Sequence, residues 1–212
     1  MDKDLLASTL LQECYRPKPL LVVLSGPSGA GKDAILTRMR QLGRPYHFVV
    51  TATTRPKRPH ERDGVDYFFL SWEEFERIRS AQGFLEWAQV YGYFYGVPKE
   101  QVRNALAQGR DVLIRVDVQG AATIRRLAPQ AVFIFVTAPS LSELERRLRQ
   151  RGTDSPKALE RRLETVRQEL EFLPTFDYLV INENGRLDQA VAAVEAIIAA
   201  EKCRLPHRVV QI

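Results

Sequence analysis

The chain has 212 residues, 45% of them hydrophobic and 27% charged, and its formal net charge is +5 at pH 7. Glycine and proline occur only 12 times each, which excludes collagen-like and low-complexity chains and favours a folded α/β unit with a full core. No apolar run approaches the roughly 18 residues of a membrane-spanning helix, so the sequence predicts no membrane span.

Short apolar segments alternate along the chain with longer segments of helical pattern. The predicted strands are Leu20–Ser25, Phe48–Ala52, Val112–Asp117, Val132–Val136 and Tyr178–Asn182. The predicted helices of this alternation are Ala34–Leu42, Glu100–Gln108, Ser140–Gln150, Pro156–Phe172 and Leu187–Lys202. The sequence therefore predicts an α/β fold, with a doubly wound and mainly parallel sheet of about five strands flanked by helices.

Residues 51–97 interrupt this alternation with a segment of different composition and pattern. A basic, proline-rich loop is followed by YFFL, a helix candidate SWEEFERIRS and the aromatic-rich stretch FLEWAQVYGYFYGV. This pattern is typical of short antiparallel strands, so we expect a small inserted subdomain here. The charged segment 140–167 is a predicted mobile element. The remaining parts are an N-terminal extension, 1–19, and a core made of 20–50, 98–139 and 168–212.

A glycine-rich turn joins the first predicted strand to the first predicted helix. It is GPSGAGKD, which fits the G-x-x-x-x-G-K pattern of phosphate-binding loops. Glycines let backbone N–H groups curl around phosphates, and the lysine neutralises the β and γ phosphates of a triphosphate. We expect ATP to be bound by Gly26, Pro27, Ser28, Gly29, Ala30, Gly31, Lys32 and Asp33.

Two acids are predicted to serve Mg²⁺ beside this loop. Asp33 stands where phosphate loops usually carry a Ser or Thr hydroxyl for the metal, and a carboxylate is also a hard oxygen ligand. Asp117 ends a predicted strand, at the edge where open α/β sheets place their ligands, and acids there often hold the metal through water. The alternative for Asp117 is a cap of the next turn.

The segment 51–67, TATTRPKRPHERDGVDY, carries a second motif. Together with the phosphate loop it closely resembles guanylate kinases, and the likeness covers nearly the whole chain from about residue 20. The resemblance implies an α/β phosphate-loop fold in which 51–97 is the GMP-binding subdomain. It implies that the GMP phosphate is held by Arg55, Arg58, Tyr67 and Tyr95, groups whose forked N–H donors and hydroxyls suit a phosphate dianion. The predicted substrate-binding set also includes Thr51, Glu61, Gly96 and Asp117.

Glu86, within FLEWAQV, matches the acid that recognises guanine in this family. Guanine presents N1–H and a 2-amino group on one edge, and a carboxylate accepts from both, whereas adenine offers neither donor there. A desolvated carboxylate left unpaired can reject the wrong base by roughly 10⁴-fold or more.

Two further positions depart from the family pattern. Val97 stands where a Ser or Thr often contacts the base, and Arg115 replaces an acid that often assists guanine recognition. Strand periodicity places Arg115 on the same face as Asp117. Arg115 is expected either to pair with a nearby acid or to donate to guanine O6.

The resemblance also implies that 140–167 is a helical lid, which folds over the phosphates and excludes water. Arg147, Arg151 and Arg162 fall at positions of the family's lid arginines, and with Lys32 they form the predicted catalytic set. Asn182 resembles a family residue that lies beside the ATP base.

These features predict a guanylate kinase that transfers the γ-phosphoryl group of Mg²⁺-bound ATP to GMP or dGMP. Two alternatives remain open from the sequence. One is another nucleoside-monophosphate or ribose-phosphate kinase of the same fold, and the other is a guanylate-kinase-like module that binds phosphopeptides without catalysis.

The positive net charge favours anionic partners. The arginines gather in 55–62 and 146–162, however, and no RNA-binding motif is present, so we expect small phosphorylated ligands rather than nucleic acid or membranes. Cys14 and Cys203 lie near opposite ends, which predicts a reducing compartment, and no targeting pattern is recognised at the N-terminus, so the cytoplasm is expected. The sequence leaves the oligomeric state open.

Overall fold

The structure is a computed structural model and describes residues 18–59, 61–90, 92–150 and 156–212. Residues 1–17 of the predicted N-terminal extension, and Arg151 of the predicted catalytic set, lie outside the described residues. Within the described ranges, no helix is both long and apolar enough to cross a bilayer.

Strands and helices alternate along the described part of the chain. The strands are β1 (Leu21–Ser25), β2 (His47–Phe48), β3 (Ala52–Thr53), β4 (Phe68–Phe69), β5 (Phe84–Val90), β6 (Tyr93–Pro98), β7 (Val112–Arg115), β8 (Val132–Thr137) and β9 (Tyr178–Ile181). The helices are α1 (Lys32–Gln41), α2 (Trp72–Ser80), α3 (Lys99–Ala107), α4 (Val118–Leu127), α5 (Leu141–Gln150), α6 (Pro156–Leu170) and α7 (Leu187–Lys202). A 3₁₀ turn, Leu173–Thr175, lies between α6 and β9.

Five of the described strands form a core sheet in the order β2-β7-β1-β8-β9, and every pairing in it is parallel. From β1 the chain goes to β2 and β7 on one side and then to β8 and β9 on the other. The strand order therefore reverses at β1, and such a switch point is where open α/β sheets bind ligands. The predicted doubly wound, mainly parallel sheet is confirmed.

Different helices cover the two faces of this sheet. Val22 and Leu24 of β1 belong to one buried cluster with residues of α1 and α7. Leu21 and Val23 belong to a second cluster with residues of α3 and α4. Because alternate side chains of a strand point to opposite faces, a strand buried on both sides must be apolar throughout, as β1 is.

The predicted second strand, Phe48–Ala52, is wrong in its extent. β2 ends at Phe48, and the side chain of Gln101 then binds both the backbone N–H and the carbonyl of Val50, each at 3.1 Å. The Gln101 amide thus takes the place of a neighbouring strand. The chain leaves the core sheet at this point and enters a second sheet as β3.

Helix α4 has no counterpart among the helices predicted from the sequence. Its first turn contains Gly120, and glycine lowers helix propensity by about 1 kcal/mol relative to alanine. The helix begins at Asp117, whose Oδ1 accepts the Gly120 N–H at 2.8 Å. Asp117 therefore is a helix cap, the alternative considered for it, and the cap fixes its carboxylate at the carboxyl edge of β7.

The other paired strands of the described chain form a small sheet in the order β4-β3-β6-β5. The expected antiparallel pairing holds for β5 with β6 and for β6 with β3, whereas β3 and β4 run parallel. Phe75 of α2 is fully buried and stacks on Phe84 with ring centroids 4.6 Å apart. The small sheet thus has an aromatic core of its own.

Candidate active site

The phosphate loop lies between β1 and α1, at the carboxyl edge of the core sheet. Gly31 has φ 89°, and a Cβ there would stand 2.2 Å from Nδ2 of Asn182, so only glycine fits. Lys32 begins α1, and its Nζ donates to the carbonyls of Gly26 and, at 3.0 Å, of Pro27. The ammonium group is therefore folded back over the start of the loop.

The charge of Lys32 is set by its surroundings. Burial lowers the pKa of the Lys32 ammonium, and the carboxylates of Glu169, Asp33 and Asp117 oppose that shift. A desolvated cation surrounded by carboxylates gains from an incoming polyanion, because the phosphates bring charge of the sign that favours its protonated form.

A cavity of about 360 Å³ opens beside the loop. The phosphate-loop residues Gly26, Pro27, Ser28, Gly29, Ala30, Gly31, Lys32 and Asp33 form one side of its lining. The predicted substrate-binding residues that also line it are Thr51, Arg55, Arg58, Tyr67, Glu86, Tyr95 and Asp117, and Arg162 of α6 joins them. The structure thus brings the donor-phosphate loop and most of the predicted acceptor site into one cavity.

Glu61 is not part of the cavity lining and instead holds Arg55. Nη2 of Arg55 donates to both carboxylate oxygens of Glu61, at 2.7 and 3.0 Å, and the backbone N–H of Arg58 donates to the same carboxylate at 2.8 Å. The carboxylate is partly desolvated, but its bonds to Arg55 and Arg58 keep the pKa of Glu61 below its usual value. Glu61 therefore orients the turn that carries both arginines.

Two tyrosines complete the acceptor side of the cavity. The Tyr67 ring lies 5.4 Å from Cζ of Arg55 and 6.0 Å from the ring of Tyr95. Burial raises the pKa of Tyr67 to about 12, so its hydroxyl keeps the proton that it can donate to a phosphate. Gly96 is buried in β6, where a Cβ would stand 2.7 Å from the Phe84 ring, and it lies outside the cavity lining.

Glu86 is the most unusual carboxylate of the cavity. It is 5% exposed, and its Oε2 is buried without a hydrogen-bond partner among the described residues. A Cβ at Gly120 would stand 2.8 Å from that oxygen, so the glycine is required for the close approach. Burial, together with the nearby carboxylate of Asp117, raises the pKa of Glu86 to about 8. Such an atom is arranged for a ligand that brings its own donors.

Asn182 and Arg147 lie on the other side of the phosphate loop. They line a second cavity of about 400 Å³, together with Gly29 and Gly31 of the loop. Nδ2 of Asn182 donates to the Ala30 carbonyl at 2.9 Å, and Nη2 of Arg147 donates to the Asn182 carbonyl at 2.8 Å. These two residues therefore support the back of the loop, and the structure does not bring them to the first cavity.

Val97 and Arg115, the two positions that depart from the family pattern near the base site, have different surroundings in the structure. Val97 is fully buried in the core-sheet cluster that also contains Leu21 and Val23, so its side chain packs and does not line the cavity. Arg115 does line the cavity and pairs with the carboxylate of Asp33. Of the two roles considered for Arg115, the structure shows the pairing with an acid.

Glu169 of α6 is a site residue that the sequence interpretation missed. It lines the first cavity, is 8% exposed, and accepts the backbone N–H of Ser28 at 3.2 Å. Burial raises the pKa of this carboxyl group, and Lys32 opposes the shift. Glu169 lies seven residues after Arg162, which places both on one face of the helix, and this spacing was the available signal. Glu169 anchors α6 to the phosphate loop.

A phosphate loop at the switch point of a doubly wound sheet, facing an arginine and tyrosine pocket across one cavity, defines a phosphate-loop kinase. The sequence model of the guanylate kinase family matches residues 18–201. The chain belongs to the guanylate kinase family.

Individual relatives agree with this assignment. The chain is 47% identical over 197 residues to guanylate kinase 2, chloroplastic/mitochondrial, of Oryza sativa subsp. japonica, a match that spans 92% of this chain and 69% of the rice protein. It is 45% identical over 193 residues to guanylate kinase of Synechococcus sp. (strain JA-3-3Ab), across 89% and 88% of the two chains. Among solved structures, guanylate kinase from Anaplasma phagocytophilum superimposes with a TM-score of 0.75 at 28% identity, covering 90% of this chain and 89% of the other.

Proposed function

We propose that this protein is an ATP:GMP phosphotransferase, which moves the γ-phosphoryl group of ATP to GMP and yields ADP and GDP. The observation that carries the proposal is the buried Oε2 of Glu86, unpartnered among the described residues, in the cavity that the phosphate loop also lines. An unsatisfied buried acceptor is costly, and the N1–H and 2-amino donors of guanine supply what it lacks.

The donor nucleotide is assigned to the phosphate loop. The loop amides and Lys32 bind the ATP phosphates, and the second cavity behind the loop has room for the remainder of the nucleotide. Asn182 supports this placement, because it lines that cavity and bonds the loop at Ala30.

The acceptor nucleotide is assigned to the opposite side of the first cavity. Arg55, Arg58, Tyr67 and Tyr95 bind the GMP phosphate through charge-assisted and hydroxyl hydrogen bonds, with Glu61 orienting the arginines. Glu86 recognises the guanine edge. Thr51 and Asp117 line the same cavity, and Gly96 allows β6 to pack closely against Phe84.

The residues present fit a magnesium ion that arrives with ATP. Mg²⁺ is usually held by one or two carboxylates together with substrate phosphates, and Asp33 and Asp117 both line the cavity at the phosphate loop. Among the described residues no three acidic, histidine or cysteine side chains gather into a metal site of their own. Bound Mg²⁺ would neutralise charge on the donor phosphates.

The transfer itself needs no general base, because the acceptor phosphate is already an anion. A phosphate oxygen of GMP attacks the γ-phosphorus, and the bond to the β–γ bridging oxygen breaks to release ADP. Lys32 and Arg162 neutralise the charge that spreads over the transferred group, with Arg151 assigned to the same role from the resemblance alone, while Arg147 supports the back of the loop through Asn182. Closure of 51–97 and 140–167 aligns the reactants and excludes water. Arg162 supports this assignment, since it lines the cavity on the helix that Glu169 anchors.

We expect kcat/KM for GMP and dGMP to exceed kcat/KM for AMP, UMP, CMP or ribose bisphosphate by at least about 10³-fold, because only guanine carries the donors that Glu86 requires. A coupled ADP assay across these acceptors tests the proposal. A preference for another acceptor would identify a different kinase of this fold, and GMP binding without ADP release would identify a non-catalytic module.

We also expect GMP binding to release a proton between pH 6 and 8. The free protein holds Glu86 protonated below its pKa of about 8, whereas guanine donors require the carboxylate, so GMP affinity should rise toward pH 8 and then level off. Calorimetry at pH 7 in two buffers of different ionisation enthalpy measures the proton. The Glu86→Gln variant loses the titration of Glu86 and keeps that of the GMP phosphate and of the other groups in the cavity, so equal proton release by both proteins would contradict the assignment.

The cytoplasmic location stays a prediction from the sequence. The name of the rice relative places that protein in chloroplasts and mitochondria, and imaging of a tagged full-length chain would test the compartment of this one.

A further inference from the structure

Arg115 and Asp33 are 82 positions apart and form a direct ion pair, with Nη1 of Arg115 donating to Oδ1 of Asp33. The core sheet explains the meeting: Arg115 ends β7 and is in register with Leu24 of β1, while Asp33 ends the phosphate loop in the first turn of α1. The Arg115 side chain is 17% exposed and that of Asp33 is 63% exposed. Arg115 is therefore the embedded member of the pair.

The same guanidinium also contacts the acceptor side. Cζ of Arg115 lies 4.6 Å from the centroid of the Tyr67 ring, which is within the range of a cation–π interaction. Arg55 lies 5.4 Å from the same centroid, so two guanidinium groups contact one phenol ring. Asp33, Arg115 and Tyr67 all line the first cavity.

These contacts give Arg115 a geometry that a lysine cannot reproduce. A planar guanidinium can stack on a ring while its edge donates to a carboxylate, whereas an ammonium is a compact point charge on a flexible stem. The ion pair with Asp33 holds one edge of the Arg115 guanidinium, and the face of the same guanidinium is then available to the Tyr67 ring. The result is a chain of contacts from the donor loop to a tyrosine of the acceptor site.

We propose that Arg115 is a positioning residue that acts through Tyr67: held by Asp33, it sets the Tyr67 hydroxyl in place for the acceptor phosphate. The inference rests on the proposed function and deepens it, because it names the device that ties the phosphate loop to the GMP site.

The test is a double-mutant cycle of Arg115→Met and Tyr67→Phe, with GMP affinity measured by calorimetry at fixed pH and ionic strength. Arg115→Met is expected to weaken GMP binding about 10- to 50-fold in the parent chain and at most about threefold in the Tyr67→Phe background, as residues that act through one another are coupled. Equal losses in both backgrounds would overturn the proposal.

A charge-conserving variant separates positioning from simple attraction. Arg115→Lys should lose most of the affinity that Arg115→Met loses, because the ammonium cannot stack and pair at once. Wild-type affinity in Arg115→Lys would show that only the charge matters and would overturn the proposal.

The matched control is Arg40→Met, which removes a neighbouring cation that stacks on Phe48 and does not line the cavity. Its GMP affinity should stay within about twofold of the parent, as expected of a charge outside the site.

Thermal unfolding of each variant is compared at saturating and zero GMP. If the lower GMP affinity of Arg115→Met is accounted for entirely by a lower unfolding temperature of the GMP-free variant, Arg115 has a structural role and the inference is refuted. Failure of the parent chain to bind GMP would instead refute the proposed function.

Discussion

Replacing Lys32 by alanine is expected to reduce kcat by at least about 10²-fold, because the ammonium group stabilises charge that develops on the transferred phosphoryl group. Its Nζ reaches back over Gly26 and Pro27, and its burial makes each electrostatic contact stronger than in water. GMP affinity should change by less than about threefold, since the acceptor phosphate is bound by other residues. Steady-state kinetics for turnover and calorimetry for GMP give the two numbers.

Lys57 supplies the control for that variant. It is an exposed lysine on the acceptor loop and does not line the cavity, so Lys57→Ala removes the same charge away from the chemistry. We expect its turnover to remain close to that of the parent. A Lys32→Ala enzyme that retains near-normal turnover would remove the phosphate loop from the mechanism.

Replacing Glu86 by glutamine is expected to lower kcat/KM for GMP by about 10²-fold and to reduce discrimination against AMP by a similar factor. Glutamine has the same shape, but its NH₂ group would face the guanine donors in place of a carboxylate oxygen that could accept from them. Because the site is desolvated and close to Gly120, the side chain has little room to turn away from the mismatch.

The comparison for Glu86 is Glu100→Gln, a change of the same chemistry on a side chain that is 71% exposed on α3. This control should leave the GMP to AMP ratio unchanged. If Glu86→Gln also leaves the ratio unchanged, guanine selection must come from other residues of the cavity.

Local motifs explain why much of this site was predictable. The phosphate loop gathers its residues within one turn, so their spacing alone indicates the chemistry. The roles of the 51–67 residues followed instead from the resemblance to guanylate kinases. The parallel sheet was predictable as well, because strands buried on both faces leave unbroken apolar runs.

What the sequence did not reveal depends on contacts between distant segments. The end of β2 is decided by Gln101, which lies 51 positions beyond Val50. The partnership of Asp33 with Arg115 depends on the register of β7 against β1. Glu169 is on a charged helix where many acids are solvated, and only the fold shows that this one bonds the phosphate loop.

The pair of Asp33 and Arg115 also bears on which substitutions the chain accepts. In this chain an anion and a cation meet beside the place where polyphosphate is expected. Replacing Arg115 by an acid would set two carboxylates side by side there, where like charges repel. Replacing Asp33 by serine would only leave a cation beside anions. We therefore expect the chain to accept Asp33→Ser far more readily than Arg115→Glu, although each changes one member of the same pair.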